Sequence, residues 1–260
     1  MSETNYSTFH QQALQQCLGK QSKLMQKHTL TSGEVVWVRL AGTRNSMWRY
    51  RLLKLAQQIT GINLLQPVPN LGGVSSLRTE VQRLHALSQA GICVPKVLAQ
   101  QTTATMISNI GEKNLEAEWW ACRKEKQTLL QRWLLGLNAI AQVHQQQQYL
   151  SECFARNMIF INDRQIGFID FEDDPLTAMT LPHCQARDLL CYLHSGAQLM
   201  TEFGVATESL QLWHQFIAQQ PEQTQTIIQT SLRKIRWMRH FTAQIYGKDT
   251  LKLAAMANFG

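Results

Sequence analysis

The chain has 260 residues, 44% hydrophobic and only 17% charged, a balance that excludes wholesale disorder and suits one large domain or two closely joined lobes. Its net charge of +7 favours an anionic partner, whether a nucleotide, a phospholipid surface or nucleic acid. The sequence has no apolar run of about 18 residues, the length that predicts a transmembrane helix.

The cysteines and the N-terminal residues bear on location. The six cysteines are scattered, without a C-x-x-C pair or the spacing of zinc ligands, which predicts free thiols in a reducing compartment. Residues Met1 to Gln16 are polar and lack the basic, apolar and small-residue order of a secretory signal. We therefore expect a cytoplasmic protein.

The first half of the chain is predicted to be rich in strands. A hairpin turning at Ser32-Gly33 precedes a helix that stops at Gly61, and a second helix, capped by Ser75 or Ser76, stops at Gly91. The predicted strands are His28–Thr31, Val35–Leu40, Val94–Leu98 and Ala104–Ile110, and the predicted helices are Ser46–Ile59 and Ser75–Ala90.

The second half is predicted to be helical apart from one short hairpin with its turn at Asn162-Asp163. The hairpin strands are Met158–Ile161 and Gln165–Ile169, and the helices are Leu115–His144, Gln185–His194, Ser209–Gln219, Gln223–Tyr246 and a short tail helix. The pattern indicates a strand-rich N-terminal lobe and a helix-rich C-terminal lobe, joined by a hinge at Asn109–Lys113.

The segment from Ser151 to Pro175 carries the most chemical information. Asn157 precedes one hairpin strand and Asp170 follows the other, so we expect the hairpin to bring both side chains to the same end of the ribbon. An amide oxygen and a carboxylate suit a hard divalent cation, and with a nucleotide bound Mg²⁺ would bridge them to phosphate oxygens. The acids at 172 to 174 either raise cation affinity or form an ordinary solvated run.

Several motifs resemble those of the protein-kinase-like superfamily. Residues 169 to 172, Ile-Asp-Phe-Glu, resemble the metal-binding D-F-E of small-molecule and lipopolysaccharide kinases. Residues 79 to 98, TEVQRLHALSQAGICVPKVL, resemble the E-x-x-x-L-x-x-L-x-x-x-G-I-x-V-P pattern of bacterial lipopolysaccharide kinase-like proteins. Val36–Arg39 resembles the strand with the nucleotide-binding lysine, and Arg187-Asp188-Leu189 resembles the helix whose aspartate braces the catalytic loop.

This resemblance implies an α+β, two-lobed protein-kinase-like fold, with residues 1–110 as the N-terminal lobe and 111–260 as the helical C-terminal lobe. It also implies ATP-dependent phosphoryl transfer to a hydroxyl of a saccharide or lipid-linked envelope acceptor, with ATP and Mg²⁺ as cofactors. The resemblance assigns the metal to Asn157 and Asp170, with Asp170 also catalytic. It assigns nucleotide binding to Arg39 and Glu80, which either form an ion pair or remain an exposed strand residue and a solvated helix charge. It assigns the catalytic-base position to Glu152, five residues before Asn157, as the aspartate precedes the asparagine in the kinase loop H-R-D-x-x-x-x-N.

Departures from the kinase pattern leave a second function open. No glycine-rich phosphate loop precedes Arg39, which replaces the lysine, and Glu152 replaces the aspartate of the base. The alternative is a catalytically inactive module, a pseudokinase, that binds nucleotide or a partner protein as a regulator. The hypothesis that the protein binds nucleic acid rests on its net charge alone. The basic stretch Ser231–His240 predicts either docking on an anionic inner membrane or a plain solvated face.

Overall fold

The computed structural model describes residues 6–42, 72–241 and 247–260. Over these ranges the protein is α+β, with a four-stranded antiparallel sheet, a two-stranded hairpin and a larger helical part. The predicted helix Ser46–Ile59 and its stop at Gly61 lie outside the described residues. Within the described ranges, no helix has the length and apolar character needed to cross a membrane.

The elements follow the predicted order, with strands concentrated in the first half and helices in the second. The strands are β1 (Met25–Thr29), β2 (Val35–Leu40), β3 (Val97–Gln101), β4 (Ala104–Ser108), β5 (Met158–Asn162) and β6 (Gln165–Phe168). The helices are α1 (Thr8–Leu18), α2 (Gly73–Gln89), α3 (Leu115–Ala121), α4 (Lys126–Gln145), α5 (Leu181–Glu202), α6 (Ala206–Ile217), α7 (Glu222–Ile235) and α8 (Lys248–Met256). Short 3₁₀ turns cover Ala155–Asn157, Pro175–Thr177, Arg236–His240 and Ala257–Phe259.

The four-stranded sheet has the order β1-β2-β4-β3, and each neighbouring pair is antiparallel. The β1–β2 hairpin turns at Gly33, whose φ of 84° lies in the region that glycine enters readily. Strand β3 begins at Val97 instead of the predicted Val94. The reason is that Pro95 has no N–H to donate to a ladder.

Helix α1 packs on the sheet and is missing from the sequence-based prediction. Ser7 caps it, accepting a hydrogen bond from the backbone N–H of His10 (3.2 Å). Its Leu14 is fully buried and packs with Val36 and Val38. Because only a narrow stripe of the helix is apolar, the polar composition of the N-terminus conceals it.

Helix α2 begins earlier than predicted, and neither Ser75 nor Ser76 caps it. Its first residue is Gly73, and Gly72 occupies the N-cap position. Positive φ angles at the two glycines (65° and 61°) turn the chain directly into the helix. Ser76 therefore lies inside the first turn, where its hydroxyl contacts another part of the fold instead of the helix end.

The predicted helix Leu115–His144 is two helices, α3 and α4. The backbone leaves helical geometry at Cys122, with a ψ of 12°. Residues 123 to 125 are all charged and offer the core no apolar side chain, so the chain turns there before α4 begins.

The predicted helix Gln223–Tyr246 is α-helical only as far as Ile235. It continues as the tighter 3₁₀ turn Arg236–His240, which places Met238 in the core. The last residues of the prediction, 242–246, lie outside the described ones.

Three aromatic rings form the centre of the helical part. Trp119, Trp133 and Tyr192 are fully buried, with ring centroids 4.8 to 5.6 Å apart. The Tyr192 hydroxyl donates to the backbone carbonyl of Trp133 (2.7 Å), which satisfies its polar group. Gly196 on α5 lies directly against the two indole rings.

Gly196→Ala is expected to destabilise the protein by about 1–3 kcal/mol. The added methyl carbon would lie 2.3 Å from Trp133 Cζ3 and 3.0 Å from Trp119 Cη2, which forces the rings to shift. In an unobstructed helix the same change stabilises by about 1 kcal/mol, so a loss identifies the clash. Chemical denaturation measures the effect, with Glu202→Ala as an exposed control on the same helix; a stability equal to or above wild type would refute the prediction.

Candidate functional site

A cavity of about 430 Å³ lies between the sheet, helix α2 and the β5–β6 hairpin. The segment from Ser108 to Glu112 lines one side of it. Its apolar wall includes Trp37, Leu84, Ile107, Ile159 and Ile169, and its polar wall consists of Arg39, Glu80, Asn157, Asp170 and Glu172 among others. The predicted metal-binding and nucleotide-binding residues therefore meet around one cavity.

The β5–β6 hairpin brings Asn157 and Asp170 together, which confirms the expectation drawn from their positions. The backbone N–H of Ile169 donates to the carbonyl of Asn157 (3.0 Å) at the open end of the ribbon. The Nδ2 group of Asn157 donates to Oδ2 of Asp170 (3.3 Å) and to the carbonyl of Glu152 (3.0 Å). One amide and one carboxylate are thus held side by side at the cavity.

Asp170 has an uncommon backbone conformation. Its φ is +73°, in the left-handed region that residues other than glycine seldom enter. Such a conformation persists only where its surroundings hold it, and it is concentrated at functional sites. Here two hydrogen bonds hold Asp170 in this conformation: the backbone bond from the neighbouring Ile169 to Asn157, and the bond between the side chains of Asn157 and Asp170.

Arg39 on β2 joins the helix side of the cavity to the hairpin side. Its Nη1 group donates to Oε1 of Glu80 on α2 (3.3 Å), so the ion pair is present where the sequence left two arrangements open. Its Nη2 group donates to Glu172, which follows β6. Glu172 also accepts from the hydroxyl of Ser76 (3.0 Å). One guanidinium therefore binds carboxylates from two separate parts of the fold.

The carboxylate of Glu80 is incompletely satisfied. The residue is only 3% exposed, and its Oε2 atom has no hydrogen-bond partner among the described residues. Burial raises the pKa of Glu80 above its ordinary value, the charge of Arg39 opposes that rise, and the charge of Asp170 adds to it. A donor or cation entering the cavity near this oxygen would be stabilised.

The acidic run at 172 to 174 is not a solvated face, which corrects that interpretation of the sequence. All three residues are half-buried, and each forms a hydrogen bond to another part of the fold. The carbonyl of Asp173 accepts from the Ser151 hydroxyl (2.7 Å), and the Asp174 carboxylate accepts from the Tyr149 hydroxyl. Burial and the bond to Asp174 raise the pKa of Tyr149. The run ties the end of the hairpin to the loop before it.

Asp188 on α5 holds the loop that leads to the hairpin. It is fully buried, and its Oδ2 atom accepts from the backbone N–H of Leu150 (2.8 Å) and lies 3.1 Å from Nε2 of His144. Ser151, which follows Leu150 in the chain, has a φ of +77°. Its carbonyl accepts a hydrogen bond from Nε of Arg187 (3.2 Å). Asp188 is therefore a buried residue that tethers this loop to α5, and not an acid on the helix surface.

Glu152 is placed less favourably than the other predicted residues. Its carbonyl binds Asn157, but the residue is not among the described residues that line the cavity. Its carboxylate lies 4.0 Å from Nη2 of Arg156, and 34% of its side chain is exposed. The loop reaches the site, and the role of the carboxylate as a base stays a prediction.

The carboxylate and amide oxygens at the cavity are of the type that Mg²⁺ binds. Among the described residues that line the cavity, the carboxyl groups of Glu80, Asp170 and Glu172 outnumber the one guanidinium, that of Arg39, which favours an added cation. In the part of the chain that the structure describes, no cluster of three or more His, Cys, Asp or Glu side chains would hold a metal alone. Mg²⁺ characteristically uses one or two carboxylates together with waters and substrate phosphates.

Sequence reasoning missed three contacts that shape the site. The hydrogen bond from Nε1 of Trp37 to Oδ1 of Asn109 (3.0 Å) holds the segment Ser108–Glu112, which lines the cavity. Glu172 binds Arg39, and Ser76 binds Glu172. The last position of the D-F-E motif was a signal for Glu172, whereas no local pattern marks the pairing of Trp37 with Asn109.

Comparison with protein-family models gives no match to this chain, and comparison with curated proteins gives no significant match either. The resemblance to kinases rests on the sequence motifs quoted above.

Proposed function

We propose that the protein is an ATP-dependent phosphotransferase of the protein-kinase-like superfamily, whose acceptor is a hydroxyl of a saccharide or lipid-linked envelope component. One observation carries the proposal: two predicted residue pairs face the same cavity. Arg39 and Glu80 lie on the sheet-and-helix side, and Asn157 and Asp170 lie on the hairpin side. The apolar part of the wall suits the flat base of a nucleotide.

Each predicted residue has a role in this proposal. Asn157 and Asp170 would hold Mg²⁺, which offsets the negative charge of the phosphates when a nucleotide is bound. Arg39, oriented by Glu80, would bind phosphate oxygens through its planar guanidinium. Glu152 would align the acceptor hydroxyl and take its proton while the terminal phosphoryl group moves to the hydroxyl oxygen and ADP leaves.

A catalytically inactive module of the same fold is the second candidate, and two observations favour it. Arg39 is already bound by Glu80 and Glu172, so a phosphate would have to compete for it. The carboxylate of Glu152 lies beside Arg156 and outside the cavity wall that the described residues form. Such a pseudokinase would bind nucleotide or a partner protein as a regulator without transferring phosphate.

Thermal unfolding with ATP and Mg²⁺ tests nucleotide binding. At about a hundredfold excess of ligand over Kd, wild type is expected to gain about 2.7 kcal/mol, a Tm increase of about 5 °C or more for a chain of this size. Asp170→Ala should lose most of the gain because it removes the carboxylate of the metal pair. Asp163→Ala, at the turn of the same hairpin and 78% exposed in its side chain, is the matched control and should keep it.

The outcomes separate the two candidates. If ATP and Mg²⁺ do not stabilise wild type, the proposal that the protein binds nucleotide is wrong. Stabilisation with transfer of labelled phosphate to a saccharide or lipid-linked acceptor supports the phosphotransferase, and stabilisation without turnover supports the inactive module. If transfer occurs, Glu152→Gln should slow it by about 10²–10⁴-fold while the nucleotide-dependent stabilisation remains.

A further inference from the structure

An exposed basic surface lies at the end of helix α7 and in the 3₁₀ turn that follows. Its exposed side chains are Arg233, Lys234, Arg236, Trp237, Arg239 and His240. Trp237 is 62% exposed, the largest fraction for a large apolar side chain in the described residues. The sequence has no Asp or Glu between Glu222 and Asp249, so this stretch carries no acid of its own.

Helical geometry gathers these side chains into a basic stripe, defined here as Arg233, Arg236, Trp237 and Arg239. Residues three or four apart share one face of an α-helix, and residues three apart eclipse one another in a 3₁₀ helix. The arginines recur at intervals of three, and Trp237 follows Arg233 at an interval of four. The stripe therefore combines three guanidinium groups with one exposed indole ring.

The segment that carries the basic stripe is anchored in the core by its other side chains. Leu232, Ile235 and Met238 point from the same segment into the core and are buried. The ring of Trp237 packs edge-on against Phe241, with centroids 5.3 Å apart and an angle of 87° between the planes. The indole is thus held in position beside the arginines.

We propose that the basic stripe docks on a bilayer surface that contains anionic phospholipids. Charge complementarity indicates this partner, because each basic side chain close to an anionic leaflet strengthens binding on the order of fivefold. An amphipathic tryptophan ring is most stable at the boundary between headgroups and acyl chains, which nucleic acid does not offer. This docking is independent of the proposed phosphotransferase activity.

Cosedimentation of the full chain with lipid vesicles tests the proposal. We expect binding to vesicles with about 30% phosphatidylglycerol, much weaker binding to phosphatidylcholine alone, and loss of binding in about 0.5 M NaCl. The variant Arg236→Glu/Arg239→Glu should bind at least about tenfold more weakly, because two attractions become repulsions. Trp237→Ala should weaken binding several-fold by removing the interfacial ring.

Trp120 and Arg123 provide matched controls. Trp120 is 44% exposed and has the Arg123 guanidinium 6.0 Å from its ring centroid, but its helix also carries Glu116 and Glu118. Trp120→Ala and Arg123→Glu should therefore bind anionic vesicles as wild type does.

Three results would overturn the proposal. The first is no binding to anionic vesicles, or equal binding to neutral ones. The second is undiminished binding by Arg236→Glu/Arg239→Glu. The third is tighter binding to DNA than to anionic vesicles, abolished in that same variant, which would assign the basic stripe to nucleic acid.

Discussion

Arg39→Met is expected to lower the free energy of unfolding by about 3–5 kcal/mol, the usual loss when a buried ion pair is deprived of one partner. The side chain of Glu80 is only 4% exposed, and Arg39 is its bonded cation. Glu172 loses the same partner, so one substitution weakens the contact between the sheet and the hairpin as well. Equilibrium denaturation followed by circular dichroism measures the change.

The loss should depend on pH through Glu80. Burial raises its pKa above the ordinary 4.5, and removing Arg39 removes the charge that lowers it. A carboxyl group whose pKa is higher in the folded state binds more protons when folded. Its contribution to stability therefore falls as pH rises from about 4.5 through the folded-state pKa. The deficit of Arg39→Met relative to wild type should be smaller at about pH 5 than at about pH 8.

Two further variants identify the cause. Arg39→Met/Glu80→Gln should be more stable than Arg39→Met, because it leaves no buried carboxylate at position 80 without its cation. Lys27→Met, on the neighbouring strand, removes an exposed pair with Glu112 and a contact 6.0 Å from the Trp37 ring centroid, and it should lower the free energy of unfolding by no more than about 1 kcal/mol. A double variant less stable than Arg39→Met would show that Glu80 does not need the arginine.

Asp188→Ala is expected to destabilise the protein by about 3 kcal/mol. The change removes a fully buried carboxylate and leaves the backbone N–H of Leu150 and the ring of His144 without that acceptor. It also releases the loop that contains Glu152, so hydrogen exchange at the Leu150 amide should become faster. Denaturation and hydrogen exchange report the two effects separately.

The matched variant for this site is Asp188→Asn, which keeps an oxygen acceptor for Leu150 in nearly the same volume. It should lose less stability than Asp188→Ala and retain more protection at the Leu150 amide. If the alanine and asparagine variants proved equally stable, the hydrogen bond would not be the source of the loss.

Much of the architecture was accessible from the sequence. The β1–β2 hairpin, the β5–β6 hairpin and the mainly helical second half follow from apolar periodicity and turn residues, which act over short stretches of chain. The meeting of Asn157 with Asp170 belongs to the same class, since one hairpin joins them. The kinase resemblance offered the Arg39–Glu80 pair as one of two alternatives, and the structure shows the contact.

What the tertiary structure decided concerns partners far apart in the chain. Glu172 is 133 positions from Arg39, and no local pattern predicts that packing brings its carboxylate to the guanidinium. The carboxylate of Glu152 turned towards Arg156, although its spacing from Asn157 matches the base position. The sequence by itself determined which residues the two hairpins bring together, because a hairpin acts over a short stretch of chain. Only the packing of sheet against helices determined which charges are buried, because burial depends on every element that covers a residue.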